Sequence, residues 1–268
     1  MFIHDKNDLK RYVIKYIICL IPLYIYGFYK NGILLYINDY TNIFGMFKIF
    51  YLVILSVLAY FLTNKILKKE FKFDLVFLSL FLVPLFCPYD INLPLYFIVF
   101  FLSLLIRKIY IPAFVIVLLS LFGVFNSSID NLDIYAFSIW DYLWGRNIAG
   151  VGSSSILLGL IIAAVLSFIN NYKYLISLSG LFSFAFFCIL FKDYTFLLNG
   201  NAILTILFIA TFSNLSPYLK KYMVLYGLSI GILGFFLVKY INPYYGMALS
   251  VLFISIIYKY LVLKKFNI

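Results

Sequence analysis

Ten apolar runs, separated by short polar segments, constrain this chain more than any other feature of its sequence. They fall near residues 12–28, 48–64, 73–88, 93–107, 111–125, 155–170, 174–191, 201–214, 223–241 and 246–262. A helix that crosses a bilayer needs roughly 17–25 mostly apolar residues. The shorter runs must extend into flanking Tyr and Trp, tilt, or form broken helices. Composition agrees: 65% of the 268 residues are hydrophobic, only 12% are charged, and the mean hydropathy is +1.06. A soluble fold of this size cannot hide so much apolar surface. The expected fold is all-α and polytopic, with about ten transmembrane helices in one transmembrane domain over residues 1–268.

Charge placement orients the runs. With the N-terminus on the cytoplasmic side, the inner segments hold Lys6, Lys10, Arg11, Lys65, Lys68, Lys69, Lys72, Arg107, Lys108, Lys173, Lys220, Lys221, Lys259, Lys264 and Lys265. The outer loops hold Lys30, Lys48, Arg146, Lys192 and Lys239, while Lys15 lies inside the first run. Lys and Arg concentrate on the cytoplasmic side of membrane proteins, so both termini are expected in the cytoplasm of a cell-membrane protein. A net charge of +11 would suggest nucleic acid in a soluble chain. Here the basic residues sit in short clusters beside apolar runs, where they anchor loops against anionic headgroups. No nucleic-acid motif is present, so the expected partner is the lipid bilayer. The first run, starting near Tyr12, is followed by no Ala-x-Ala site and reads as a permanent span.

The segment 126–154 divides the chain. It is the longest outer segment and carries both tryptophans, Trp140 and Trp144. It reads either as an interfacial aromatic anchor or as a ligand platform. Five runs precede it (1–125) and five follow it (155–268). An odd number per half turns the second half upside down, which is the inverted-repeat arrangement of many transporters.

Few residues are equipped for catalysis. The only histidine, His4, lies in the polar N-terminal tail, and Cys19, Cys87 and Cys188 are scattered through separate apolar runs without metal-ligand spacing. No P-loop, Gly-x-Ser-x-Gly or His-Glu-x-x-His motif occurs. The many Tyr (25) and Phe (31) residues read as compositional, so none is singled out as functional.

Two small-residue stretches remain as candidates. Gly145 to Ser155, with Arg146, Asn147, Gly150, Gly152 and Ser154, leads into the sixth run. Free backbone N–H groups there could hold a phosphate, or the stretch is a Ser/Gly loop and helix cap. Ile209 to Pro217, with Thr211 and Asn214, ends the eighth run as a helix stop or a cavity lining. Pro84, Pro88, Pro94, Pro112 and Pro243 also punctuate runs or their ends. Lys15 and Asp74 are the ionisable groups nearest the apolar core; Lys15 can snorkel and Asp74 can start a helix. Gly227, Gly231 and Gly234 fit close helix packing.

In this order the segments resemble the RnfD/NqrB membrane subunits of ion-pumping electron-transport complexes. The resemblance rests on Phe73 to Pro88, Asn147 to Ser155, Ala210 to Pro217 and Asn242 to Ala248. It implies electron transfer through flavin coupled to Na⁺ or H⁺ movement, other membrane subunits as partners, and transport residues at Thr211, Asn214, Pro217, Pro243 and Gly246. It also implies FMN or riboflavin, but the family's flavin-bearing Ser-Gly-Ala-Thr motif is absent. The five threonines are Thr41, Thr63, Thr195, Thr205 and Thr211, and none lies between 126 and 154. The nearest hydroxyls of that loop are Ser127 and Ser128. Any flavin is therefore expected to bind non-covalently, with its phosphate near Asn147 to Ser155. A non-redox channel or permease on the same frame, or a structural membrane subunit, is the alternative.

Overall fold

A computed structural model describes residues 6–71, 73–106, 111–121, 138–145, 149–169, 172–211 and 216–266. Among them the chain is helical, with no strand. Ten apolar helices follow the ten runs in order. They are α1 (Lys6–Phe28), α2 (Lys48–Ile66), α3 (Leu75–Phe86), α4 (Leu93–Ile106), α5 (Ile111–Leu121), α6 (Ile156–Ser167), α7 (Tyr174–Leu190), α8 (Gly200–Leu204), α9 (Lys220–Tyr240) and α10 (Gly246–Phe266). α1 continues through a π-helical turn, Tyr29–Ile33, into Leu34–Ile37, and α8 continues into a π-helical segment, Thr205–Ala210. Three of these, Leu9–Ile37, Lys48–Ile66 and Lys220–Tyr240, are long and apolar enough by themselves to cross a membrane. Others are far shorter, and the shortest adjoin irregular backbone. The protein is thus an all-α polytopic membrane protein.

Caps set the helix ends. Asp74 starts α3 by accepting the Phe77 N–H at 2.9 Å, so its carboxylate caps a helix, as the sequence led us to expect. Ser155 caps α6 through the Leu158 N–H, and Asn199 caps α8 through the Ala202 N–H at 3.0 Å. Lys15 is exposed, on the outward face of α1.

Side-chain burial runs opposite to solubility. Ile25 (65% exposed) and Phe182 (70%) face outward, while Tyr16, Tyr60, Tyr96, Phe100, Phe184 and Phe235 are buried between helices. In lipid, apolar contact with the solvent costs nothing, so helix association rests on close packing and interhelical hydrogen bonds. α7 and α9 show this. A Cβ on Gly227 would lie 2.6 Å from the Ile176 carbonyl oxygen, and one on Gly231 2.9 Å from the Phe184 nitrogen. Hydroxyl pairs add to it: Ser56 with Tyr96 joins α2 to α4, and Tyr226 with Ser255 joins α9 to α10 at 2.6 Å.

Five packed helix pairs of the first half have counterparts in the second, besides which α1 meets α2 and α8 meets α9. In the first, α1 meets α3, α2 meets α3 and α4, and α5 meets α3 and α4. In the second, α6 meets α8, α7 meets α8 and α9, and α10 meets α8 and α9. Each pair is its counterpart advanced by five helices. Between the halves, α1 packs on α6 and α5 on α10. We call the end where α1 begins the near end and the opposite one the far end.

Within the dividing segment the structure describes residues 138–145 and 149–154. Residues 138–145 carry a short helix, Ile139–Trp144, closed at its start by a Ser138–Asp141 capping box and at its end by Gly145 at φ 138°. Its last stretch, from Gly150 to Ser154, is buried.

Candidate functional site

The far-end site begins where α3 stops. α3 runs past Pro84, and at Cys87, the residue before Pro88, the backbone turns extended (φ −72°, ψ 143°). The last carbonyls of a helix lack intrahelical donors and need partners, above all in lipid. The segment before α6 supplies them. Val151 N–H donates to Cys87 O at 2.8 Å, and the N–H groups of Gly152 and Ser153 donate to Leu85 O at 2.9 and 3.0 Å. Glycine permits this approach: a Cβ on Gly150 would lie 2.5 Å from the Phe86 carbonyl carbon. α1 closes the other side, with Asn31 Nδ2 donating to Val151 O at 2.7 Å.

Asn201 ties this segment to the second half, where Asn199 holds the turn before α10. Gly150 N–H donates to Asn201 Oδ1 at 2.9 Å and to Ser153 Oγ at 2.7 Å, and Ser153 Oγ also bonds Asn201 Oδ1. Asn201 Nδ2 reaches Tyr244 O at 3.4 Å, and Asn199 Nδ2 donates to Pro243 O at 2.7 Å. Ser153, Ser154, Ser155, Asn199 and Asn201 are all buried. The far-end cluster therefore joins α1, α3, the 149–155 segment, the start of α8 and the turn before α10.

α8 leads from this cluster to a second one. Thr205, Ile206, Leu207, Phe208, Ile209 and Ala210 form its π-helical segment, and all are buried. π-helical turns are rare and gather at functional positions. Tyr16 OH donates to Phe208 O at 3.3 Å, and Tyr172 OH donates to Leu207 O at 3.0 Å. Thr211 Oγ1 donates to Leu207 O at 2.7 Å, and Tyr172 OH lies 2.8 Å from Ser177 Oγ.

Lys173 lies beside this near-end cluster, at the start of α7. Its Nζ donates to the Ser216 carbonyl at 3.0 Å and to the Ser216 hydroxyl, and it sits 4.0 Å from the Tyr218 ring centroid. It bridges the connection before α7 to the connection before α9. Burial disfavours its charge and brings its amine down to about 7. Burial likewise pushes the Tyr172 phenol up to about 12, which keeps it protonated.

The structure divides the residues that the sequence singled out. Gly150, Gly152 and Ser154 lie in the far-end cluster with Pro243, and Gly246 starts α10 beside it by donating its N–H to Asn242 O at 3.0 Å. Thr211 and Pro217 are buried at the other end of α8. Of the expected transport residues that are described, Pro243 and Gly246 thus lie at one end of α8 and Thr211 and Pro217 at the other. The backbone N–H groups of residues 150–153, expected to be open to a phosphate, are committed to Leu85, Cys87, Ser153 and Asn201. Arg146, Asn147, Ser127, Ser128 and Asn214 lie outside the described residues. Sequence reasoning missed Asn199 and Asn201, whose polar side chains open an otherwise apolar run. It also passed over Tyr16 and Tyr172 by treating tyrosine as compositional.

Comparison with known proteins adds one match. A model of the NQR2, RnfD, RnfE family matches residues 113–262, more than half of the chain. The matched stretch holds the 149–155 segment, Lys173, all of α8 and the turn at Pro243, while the partners on α1 and α3 precede it. No curated protein matches the chain.

Proposed function

Because the chain belongs to the NQR2, RnfD, RnfE family, we propose that it serves as a membrane subunit of an electron-transport complex and carries the path by which Na⁺ or H⁺ crosses. The observation that carries this reading is the run of buried polar groups along α8. It starts at Asn199 and Asn201, passes Thr205 and the π-helical carbonyls, and ends at Thr211 and Tyr172, beside the half-buried Lys173. Polar groups in a membrane interior are costly and usually serve a pathway. Discontinuous helices at a repeat interface are where transporters place such sites. We take the two halves as inverted repeats, since their helix pairs correspond five apart and each half holds an odd number. Both termini are then cytoplasmic, the near end faces the cytoplasm, and the membrane is the cell membrane.

Electrons would pass through flavin, FMN or riboflavin, held without a covalent threonine link. Gly150 to Ser153 use their N–H groups internally, so a flavin phosphate in this region would need the Arg146 and Asn147 side of the segment. A non-redox permease on the same frame is the second reading; the missing Thr in 126–154 favours it.

Two measurements test the proposal. Membranes lacking this chain should lose redox-driven Na⁺ or H⁺ uptake and regain it when the chain is restored; unchanged uptake would overturn the ion-path role. The visible spectrum of the purified complex, before and after acid precipitation, reports the flavin. A yellow supernatant supports non-covalent binding, and a colourless subunit within its complex excludes flavin from this chain.

A further inference from the structure

The outward face of α1 carries an aliphatic ridge with two cations at its near end. Ile14, Ile18, Ile21 and Ile25 are exposed at helical spacing, and Arg11 and Lys15 are exposed on the same face. Arg11 and Lys15 are four residues apart, so their side chains are neighbours, and like charges at that spacing destabilise a helix. Among the described residues neither makes an ion pair or a hydrogen bond. The Lys10 amine turns instead to α3, 5.4 Å from the Phe73 ring centroid, and the next residue there, Asp74, is committed to capping α3.

The depth of the pair follows from α2. At the far end a Cβ on Gly27 would lie 3.3 Å from Ile49 Cδ1, and the rings of Phe28 and Phe50 are 5.1 Å apart. From there α1 and α2 run side by side to the near end. Arg11 is sixteen residues from Gly27 and Lys65 is sixteen from Ile49, so the two lie at about one level. Lys48–Ile66 is about 28 Å long, close to one hydrocarbon thickness, with a lysine near each end. Lys15 is therefore about 6 Å inside that level, on a face turned to lipid. A cation so placed is stable when its amine bends back toward the headgroups.

We propose that Arg11 and Lys15 bracket the phosphate of one anionic phospholipid, whose acyl chain lies along Ile14, Ile18, Ile21 and Ile25. The inference goes beyond the proposed function and does not rest on it. A phosphate between the two cations replaces their repulsion with charge-assisted bonds. The guanidinium offers its planar fork from the headgroup level, and the ammonium meets the same phosphate from below. Phosphatidylglycerol fits better than phosphatidylcholine, because its headgroup brings no cation for the pair to repel. In the orientation proposed above, the near end meets the cytoplasmic leaflet, which carries anionic headgroups. The ridge favours a lipid over a protein helix as occupant. Helices pack in membranes through small or polar residues, and here four isoleucines stand in their place.

The test is native mass spectrometry of the full-length chain, delipidated in detergent and titrated with phosphatidylglycerol or phosphatidylcholine. The parent should bind its first phosphatidylglycerol about tenfold or more tightly than its first phosphatidylcholine. Arg11→Gln with Lys15→Gln should bring the two lipids level. Lys15→Arg keeps the charge and should keep the preference. Lys68→Gln with Lys69→Gln removes as much charge from the near end and should bind as the parent does, which separates a site from net charge. Excess inorganic phosphate should not displace the lipid, since it cannot cover the ridge. Equal binding of the two lipids by the parent, an unchanged preference in the Arg11/Lys15 double variant, or displacement by inorganic phosphate would overturn the site. A preference seen in the isolated chain but lost in the assembled complex would give this face to a protein subunit and overturn lipid as its occupant.

Discussion

The N–H of Gly150 and the side-chain oxygen of Asn201 meet at 2.9 Å across 51 residues of chain. This bond joins the segment that caps α3 to the first turn of α8, so the two halves share one polar junction at the far end. Asn201→Leu keeps the approximate volume and removes both the acceptor for Gly150 and the donor to Tyr244 O. The lost buried bonds should cost about 1–3 kcal/mol, seen as a lower thermal midpoint in detergent by size-exclusion after heating. A midpoint equal to the parent's would show that the junction contributes no stability.

Gly150→Ala should be worse than Asn201→Leu. Its Cβ would meet backbone atoms of Leu85 and Phe86, which have no rotamer to change. Overpacking against rigid neighbours costs about 1–3 kcal/mol or more. The expected result is a sharply reduced yield of monodisperse protein, with α3 and the 149–155 segment no longer paired. Normal yield and midpoint would mean that this segment packs more loosely than described.

Lys173 sets a pH dependence with a definite sign. In the folded protein burial brings its amine down to about 7, from the ordinary value of 10.5. Between those values the unfolded chain binds more protons than the folded one, so this group makes stability rise with pH across that window. Below about 7 both states hold the proton and the contribution is flat. The thermal midpoint should therefore rise from pH 7 to pH 9 more in the parent than in Lys173→Met. Lys173→Arg keeps the charge and should be the least stable of the three at pH 9. Parallel pH curves for parent and Lys173→Met would refute the assignment.

Much of the fold could be read from the sequence because lipid imposes a coarse rule. Each apolar run became one helix, Asp74 became a cap, and Gly227 and Gly231 became contact points between α7 and α9. Residues 150–154 were harder to place, since a run of Gly and Ser looks the same on a surface as it does buried against helix carbonyls. What buries it is the unpaired end of α3, which the extended Cys87, held so by Pro88, creates about sixty residues earlier in the chain. The near-end cluster was hidden for another reason. Its members include two carbonyls, which carry no side-chain signature, and tyrosines drawn from an abundant background. Only the π-helical turn at Thr205–Ala210 brings Leu207 and Phe208 to Tyr16, Tyr172 and Thr211, and no local pattern announces that turn.

The two tryptophans give a direct reading of where the short helix sits. Trp140 and Trp144 are the only tryptophans in the chain and both are exposed on Ile139–Trp144, beside an exposed Ile139. The helix is fixed in place by α1, whose Tyr26 hydroxyl and Lys30 amine bond the carbonyls of Trp144 and Gly145. Tyr142, on its other face, is buried. A held helix with an outward tryptophan pair belongs at the headgroup level, where an amphipathic ring is most stable. In liposomes, intrinsic fluorescence should be quenched more by lipids brominated near the glycerol than by lipids brominated near the chain ends. Trp140→Ala and Trp144→Ala should each lower the quenching yet leave the protein folded, because neither ring is part of the core. Strong quenching by aqueous iodide, with little by either lipid, would place the helix in water and make it a platform above the membrane instead of an anchor within its surface.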